Sequence, residues 1–129
     1  MSHEAEESKQ VCREYLECLS KGDWSGANDL LADEFSAWFP QLGESFDKAE
    51  TYIKKVMQAG KLGPYQINNM LCEYESWDRT YSISVQLCLL EKDGDRSSRN
   101  FKVLFFEVDS SGTIASISEF LCSQIIESA

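Results

Sequence analysis

Midway along this chain the spacing of apolar residues changes from helical to alternating, and that switch limits the architecture more than any other feature. From Tyr65 onward the period is two. Residues 67–74, 79–90, 100–109 and 113–123 read as four strands rich in Val, Ile, Phe and Tyr. A Lys92-Asp93-Gly94 turn joins two of them as a long hairpin, and Ser110-Ser111-Gly112 joins the last two. Before Tyr65 the period is helical. Val11, Tyr15, Leu16 and Leu19 recur at helix spacing within residues 4–20, leaving Glu6, Glu7, Lys9, Arg13 and Glu14 for the remaining face. Lys21-Gly22-Asp23 stops that helix and caps a shorter one with Trp24, Ala27 and Leu31 on its buried side, ended by Ala32-Asp33-Glu34. Residues 35–39 alternate and close at Pro40, which fits a short edge strand. Asp47 and Glu50 have capping-box spacing ahead of a third helix carrying Tyr52, Ile53, Val56 and Met57. The expected class is α+β, with three N-terminal helices packed on one face of a strongly curved antiparallel sheet.

With 129 residues and no repeat, linker or low-complexity stretch, the expectation is one domain spanning 1–129. Twelve basic residues against 22 acidic ones give a net charge of −10, which opposes binding to nucleic acid or to an anionic membrane surface. No segment approaches the ~20 consecutive apolar residues of a membrane span. The acidic N-terminus is unlike a secretory signal, so a cytoplasmic location is expected. The five cysteines lack a CxxC pair, which argues against a disulfide framework or a zinc site, and Cys88 within an apolar run reads as a packing residue. His3 is the only histidine. Its isolation excludes a serine triad, a two-histidine metal motif and most zinc or iron sites. No glycine-rich loop cradles a phosphate, so neither metal nor cofactor is expected. Any chemistry must use carboxylates, tyrosine, lysine or cysteine.

The segment Tyr15-x-x-x-Leu19-x-x-Gly22-Asp23-Trp24, followed by Leu30-Leu31-Ala32-Asp33-Glu34-Phe35, resembles the opening of the NTF2-like superfamily. Phe106-Glu107-Val108-Asp109-Ser110-Ser111-Gly112-Thr113-Ile114 resembles its late hairpin. That superfamily includes ketosteroid isomerases, SnoaL-type polyketide cyclases, scytalone dehydratase and limonene epoxide hydrolase. The resemblance implies a cone, a bent sheet wrapped around three helices with a dead-end pocket between them, dimerised through the outer sheet face. Ketosteroid isomerase pairs an Asp base with a Tyr and a protonated Asp. Against that pattern Tyr15 falls at the oxyanion tyrosine, whereas Phe39 and Leu104 occupy the two acid positions, so that isomerase mechanism is not expected. The SnoaL pattern places an acid seven residues beyond the hairpin glycine, which is Glu119 here, but also uses a histidine that this chain lacks.

Strand alternation bears on Glu119 independently. Ile117, Glu119 and Leu121 share one face, and Ser116, Ser118, Phe120 and Cys122 the other. If the first set points inward, Glu119 is a carboxylate between large aliphatics. Desolvation would raise its pKa toward the general acid–base range, unless a base such as Lys102 pairs with it. Glu119 and Tyr15 are therefore the catalytic candidates, each with a bland alternative: a solvated or paired acid, and a core tyrosine. Trp38, Phe39, Leu104, Phe106, Ile117 and Leu121 are the expected pocket wall, with Tyr74 and Trp77 as further aromatic candidates. The expected function is binding of a small apolar molecule by a homodimer, with cofactor-free isomerisation, dehydration or cyclisation as its chemistry. The alternative is a binding or scaffold domain without catalytic acids.

Overall fold

The computed structural model describes residues 2–75 and 79–128, with the side chains of 4–75, 79–90, 92 and 94–122. Helix α1 (Ser2–Lys21) turns Cys12, Tyr15, Leu16 and Leu19 into the core, the one-sided pattern that its spacing dictates. Gly22, at φ +75°, ends it in the left-handed region that a side chain would resist. Asp23 then accepts a 3.0 Å hydrogen bond from the Gly26 amide and caps α2 (Trp24–Asp29). This second helix is shorter than its spacing suggested. Leu31 leaves it to begin strand β1 (Leu31–Phe39), where it pairs with Ile114.

Strand β1 is not an edge. A short strand β2 (Glu44–Phe46), absent from the sequence expectation, pairs outside it. After β2 comes α3 (Ala49–Ala59), whose N-cap is Lys48 with no side-chain cap bond. The expected capping box at Asp47 and Glu50 does not form, because the helix starts two residues past Asp47 and its cap lies one residue past it.

Four long strands complete the chain: β3 (Tyr65–Glu75), β4 (Thr80–Asp93), β5 (Arg96–Val108) and β6 (Ile114–Ser128). The sheet order is β2-β1-β6-β5-β4-β3. All neighbours are antiparallel except β1 and β6, so the sheet is mixed where alternation alone suggested antiparallel pairing throughout. The β5–β6 hairpin delivers β6 running the same way as β1, a relation between residues about 80 positions apart that no local pattern encodes. Register shifts interrupt the ladders at Ile67/Asn69, Phe101/Lys102 and Glu107/Val108, the kind of irregularity that adds local twist to a sheet.

The inner sheet face supplies Ile83, Val85, Leu104, Phe106, Val108, Ile114 and Ile117 to the core formed with α1 and α3. Two sheet tyrosines hold α1 from outside the core: Tyr65 donates to Glu17 and Tyr81 to Glu4, each at 3.0 Å. The outer face is different. Paired positions Trp38, Ser118, Phe105, Ser84 and Leu71 form one row across five strands, and three of them are large exposed apolar side chains. Phe120 meets Phe105 edge-on beside that row, at 5.6 Å between ring centroids.

Candidate functional site

Between α1, α3, the α3–β3 loop and the inner sheet face lies a cavity of about 650 Å³. That is within the range of small-molecule sites, and its walls are mostly aliphatic. Leu16 and Leu19 come from α1, Tyr52 and Val56 from α3, and Leu87 and Leu104 from the sheet. Each is placed by the periodicity of its own element.

The polar groups sit on β5 and β6. Leu104 pairs across with Glu119, and Lys102 with Leu121, so Lys102 and Glu119 are diagonal neighbours on the inner face. Lys102 Nζ donates to Glu119 Oε1 at 3.0 Å. The two side chains retain 29% and 23% exposure. The inward direction of Ile117, Glu119 and Leu121 follows their alternation: Ile117 is buried, and the other two face the cavity. The carboxylate is not bare among aliphatics, however. Its charge is answered by the ammonium, the pairing with Lys102 that the sequence had left open as the bland alternative. Glu119 Oε2 accepts no hydrogen bond among the described residues.

Tyr15 does not reach the cavity. It is wholly buried on α1 and packs edge-on against Phe106 at 6.0 Å between centroids. Burial first, then the neighbouring Tyr52 and the Glu119 charge, push its hydroxyl well above the ordinary tyrosine range. The Tyr15 and Tyr52 hydroxyls are close enough to affect each other's ionisation, but the approach falls short of hydrogen-bond geometry. The Tyr15 hydroxyl therefore has no formed partner among the described residues. Tyr52, the neighbour of Tyr15, does line the cavity. Its own hydroxyl is also raised, by burial first and then by Glu119.

Of the expected wall, Phe39, Leu104 and Leu121 line the cavity. Phe106 and Ile117 are packed into the core away from it. Trp38 is on the outer face at 53% exposure, because it alternates with Phe39 and successive strand residues point to opposite faces. Tyr74 is half exposed and packs against Tyr81 at 4.9 Å, away from the cavity, and Trp77 lies outside the described residues. Tyr52, read only as a residue of the third helix, and the loop Gly60 to Gly63 were not expected on the wall; a helix tyrosine at core spacing carries no signal that separates wall from core. Phe39, Phe46 and Tyr52 form a ring cluster with centroids 5.7 to 5.9 Å apart that closes the α3 end of the wall.

Near the mouth, Gln41 is tied to β6. Its Nε2 donates to the Leu121 carbonyl at 2.8 Å, and its Oε1 accepts from the Leu121 amide at 2.7 Å. No group of His, Cys, Asp and Glu among the described residues has the arrangement of a metal site. The Cys12 thiol is pushed up to about 12, chiefly by burial, and is inert. No helix among the described residues is long and apolar enough to cross a membrane.

No known sequence family and no curated protein matches the chain. Solved structures do. An NTF2-like protein of unknown function from Burkholderia xenovorans superposes with a TM-score of 0.73 over 92% of this chain and 84% of its own, at 13% identity. An LEH-like epoxide hydrolase from M. tuberculosis gives 0.69 over 92% and 85%, also at 13% identity. A computationally designed 17-OHP binder gives 0.69 over 94% and 98%, at 16% identity. The fold is thus the α+β cone that these proteins share, and at such identities the chemistry rests on this chain's own residues.

Proposed function

We propose that this NTF2-like fold serves as a receptor for a small, largely apolar molecule, held in the cavity with one polar group at the Lys102–Glu119 pair. The observation that carries this reading is an aliphatic cavity of about 650 Å³ whose interior polar groups converge in one place. The ammonium offers N–H donors and Glu119 Oε2 offers an acceptor, so a hydroxyl or carbonyl on the ligand has a counterpart. The likeness to a designed 17-OHP binder supports the reading at the level of the fold. Thermal unfolding in the presence of hydrophobic alcohols and ketones tests it. An upward shift in Tm that grows with ligand concentration is expected, and no shift across such a set would overturn the reading.

A second reading, acid–base catalysis, is favoured by one feature: Glu119 faces the cavity with an oxygen free to take a proton. The LEH-like epoxide hydrolase supports it only through the fold. Under this reading Glu119→Gln abolishes turnover while ligand affinity changes little, and full activity in that variant refutes the role. Tyr15 contributes packing rather than proton transfer in either case.

The outer row of Trp38, Phe105 and Leu71 supports a homodimer, with a second copy covering an exposed apolar face. Light scattering at micromolar concentration is expected to give twice the 14.7 kDa chain mass, and a monomer would refute the pairing.

A further inference from the structure

We infer that the ligand is an amphipathic anion: besides the polar group at the Lys102–Glu119 pair it carries a carboxylate held at the mouth against Lys61, with its largely hydrocarbon body inward; this rests on the small-molecule reading above. Wall polarity grades with burial. Lys55 and Lys61 are exposed, Lys102 and Glu119 are half-buried, and Leu16, Leu87 and Leu104 are buried. The charge balance here runs against the chain as a whole. Acids outnumber bases by 22 to 12 overall, yet Lys55, Lys61 and Lys102 on the wall face only Glu119. Adding Glu44, which meets Lys55 at 3.6 Å, still leaves one ammonium in excess.

That excess is Lys61, which forms no ion pair among the described residues. Its stem lies against the end of α1: a Cβ placed at Gly22 would come within 2.6 Å of Lys61 Cε, a contact that the flexible far end of the lysine could relieve by shifting. The next residue is fixed, since the Leu62 amide donates to the Leu19 carbonyl at 3.0 Å. Lys61 thus lays its methylenes on protein and leaves its charged head for a partner at the rim. A carboxylate there gains a charge-assisted contact that a neutral ligand lacks, and a cationic ligand would meet like charge.

The test compares three ten-carbon probes of one skeleton by isothermal titration calorimetry of the full chain near pH 7: decanoate, decan-1-ol and decylamine. At about 0.15 M salt the distant acidic surface is screened beyond about 8 Å. Decanoate is expected to bind about fivefold or more tighter than decan-1-ol, with decylamine weakest. Lys61→Gln replaces the ammonium with a neutral carboxamide on a side chain of nearly the same length, so the decanoate-to-decanol ratio should fall to about one to two. Decan-1-ol or decylamine binding as tightly as decanoate, or a ratio unchanged in Lys61→Gln, overturns the inference. Decan-1-ol binding without any preference for decanoate removes the anion and keeps the cavity reading, whereas no binding by any of the three removes both.

Discussion

Replacing Tyr15 with alanine is expected to destabilise the fold by about 3–5 kcal/mol, the usual cost of emptying a large aromatic site in a core. Replacing it with phenylalanine is expected to cost nothing or to stabilise slightly. The ring is fully buried and packs on Phe106, so its volume is needed. The hydroxyl is buried without a formed partner, a condition that itself costs about 1–3 kcal/mol. Urea unfolding followed by circular dichroism measures both variants. A loss of more than about 1 kcal/mol in Tyr15→Phe would mean that the hydroxyl is bonded after all, and would restore its candidacy as a proton donor. The pH dependence has a definite sign. An unfolded tyrosine ionises near pH 10, while the folded Tyr15 holds its proton well above that. Its contribution to stability is therefore complete below about pH 10 and declines as pH rises beyond, and Tyr15→Phe should blunt that alkaline decline.

The second large effect concerns the ion pair. Lys102→Met leaves the Glu119 carboxylate facing an aliphatic cavity, and Glu119→Leu strands the ammonium in the same way. Breaking a fully buried pair costs about 3–5 kcal/mol; with about a quarter of each side chain still exposed, about 1–2 kcal/mol is expected for either single change. The double variant Lys102→Met/Glu119→Leu removes both charges and should recover most of that loss, because well-packed apolar residues replace such pairs at little cost. Ligand affinity should behave oppositely. For a hydroxyl- or carbonyl-bearing ligand the double variant is expected to bind about tenfold or more weakly, since both polar contacts are gone. A double variant that is destabilised by the sum of the singles would show that the two groups do not act as a pair.

The inward face of β6 was legible because alternation has only two phases, and one buried residue such as Ile117 fixes the phase for Glu119 and Leu121. The same logic, applied to β1, separates Trp38 from Phe39; adjacent strand residues do not share one wall. The register that sets Lys102 beside Glu119 depends on where the β5–β6 ladder shifts at Glu107/Val108, between the hairpin and the pair, which spacing from the hairpin glycine does not reveal. Strand β2 and the parallel pairing of β1 with β6 were hidden for a related reason. They are contacts between segments distant in sequence, and β2 has three residues, too few to show a period. The cavity's remaining wall, Tyr52 and the loop after α3, was illegible because an amphipathic helix displays which face is covered but not whether the cover is packed atoms or empty space.

The two bonds from Gln41 to Leu121 bear on how this molecule meets its neighbours. Past the Trp38–Ser118 rung, β1 no longer accompanies β6, and the next peptides would offer an open edge to any passing strand. One carboxamide answers both the N–H and the C=O of Leu121, as a further strand residue would. A single side chain thereby plugs a rung that could otherwise seed misassembly between copies.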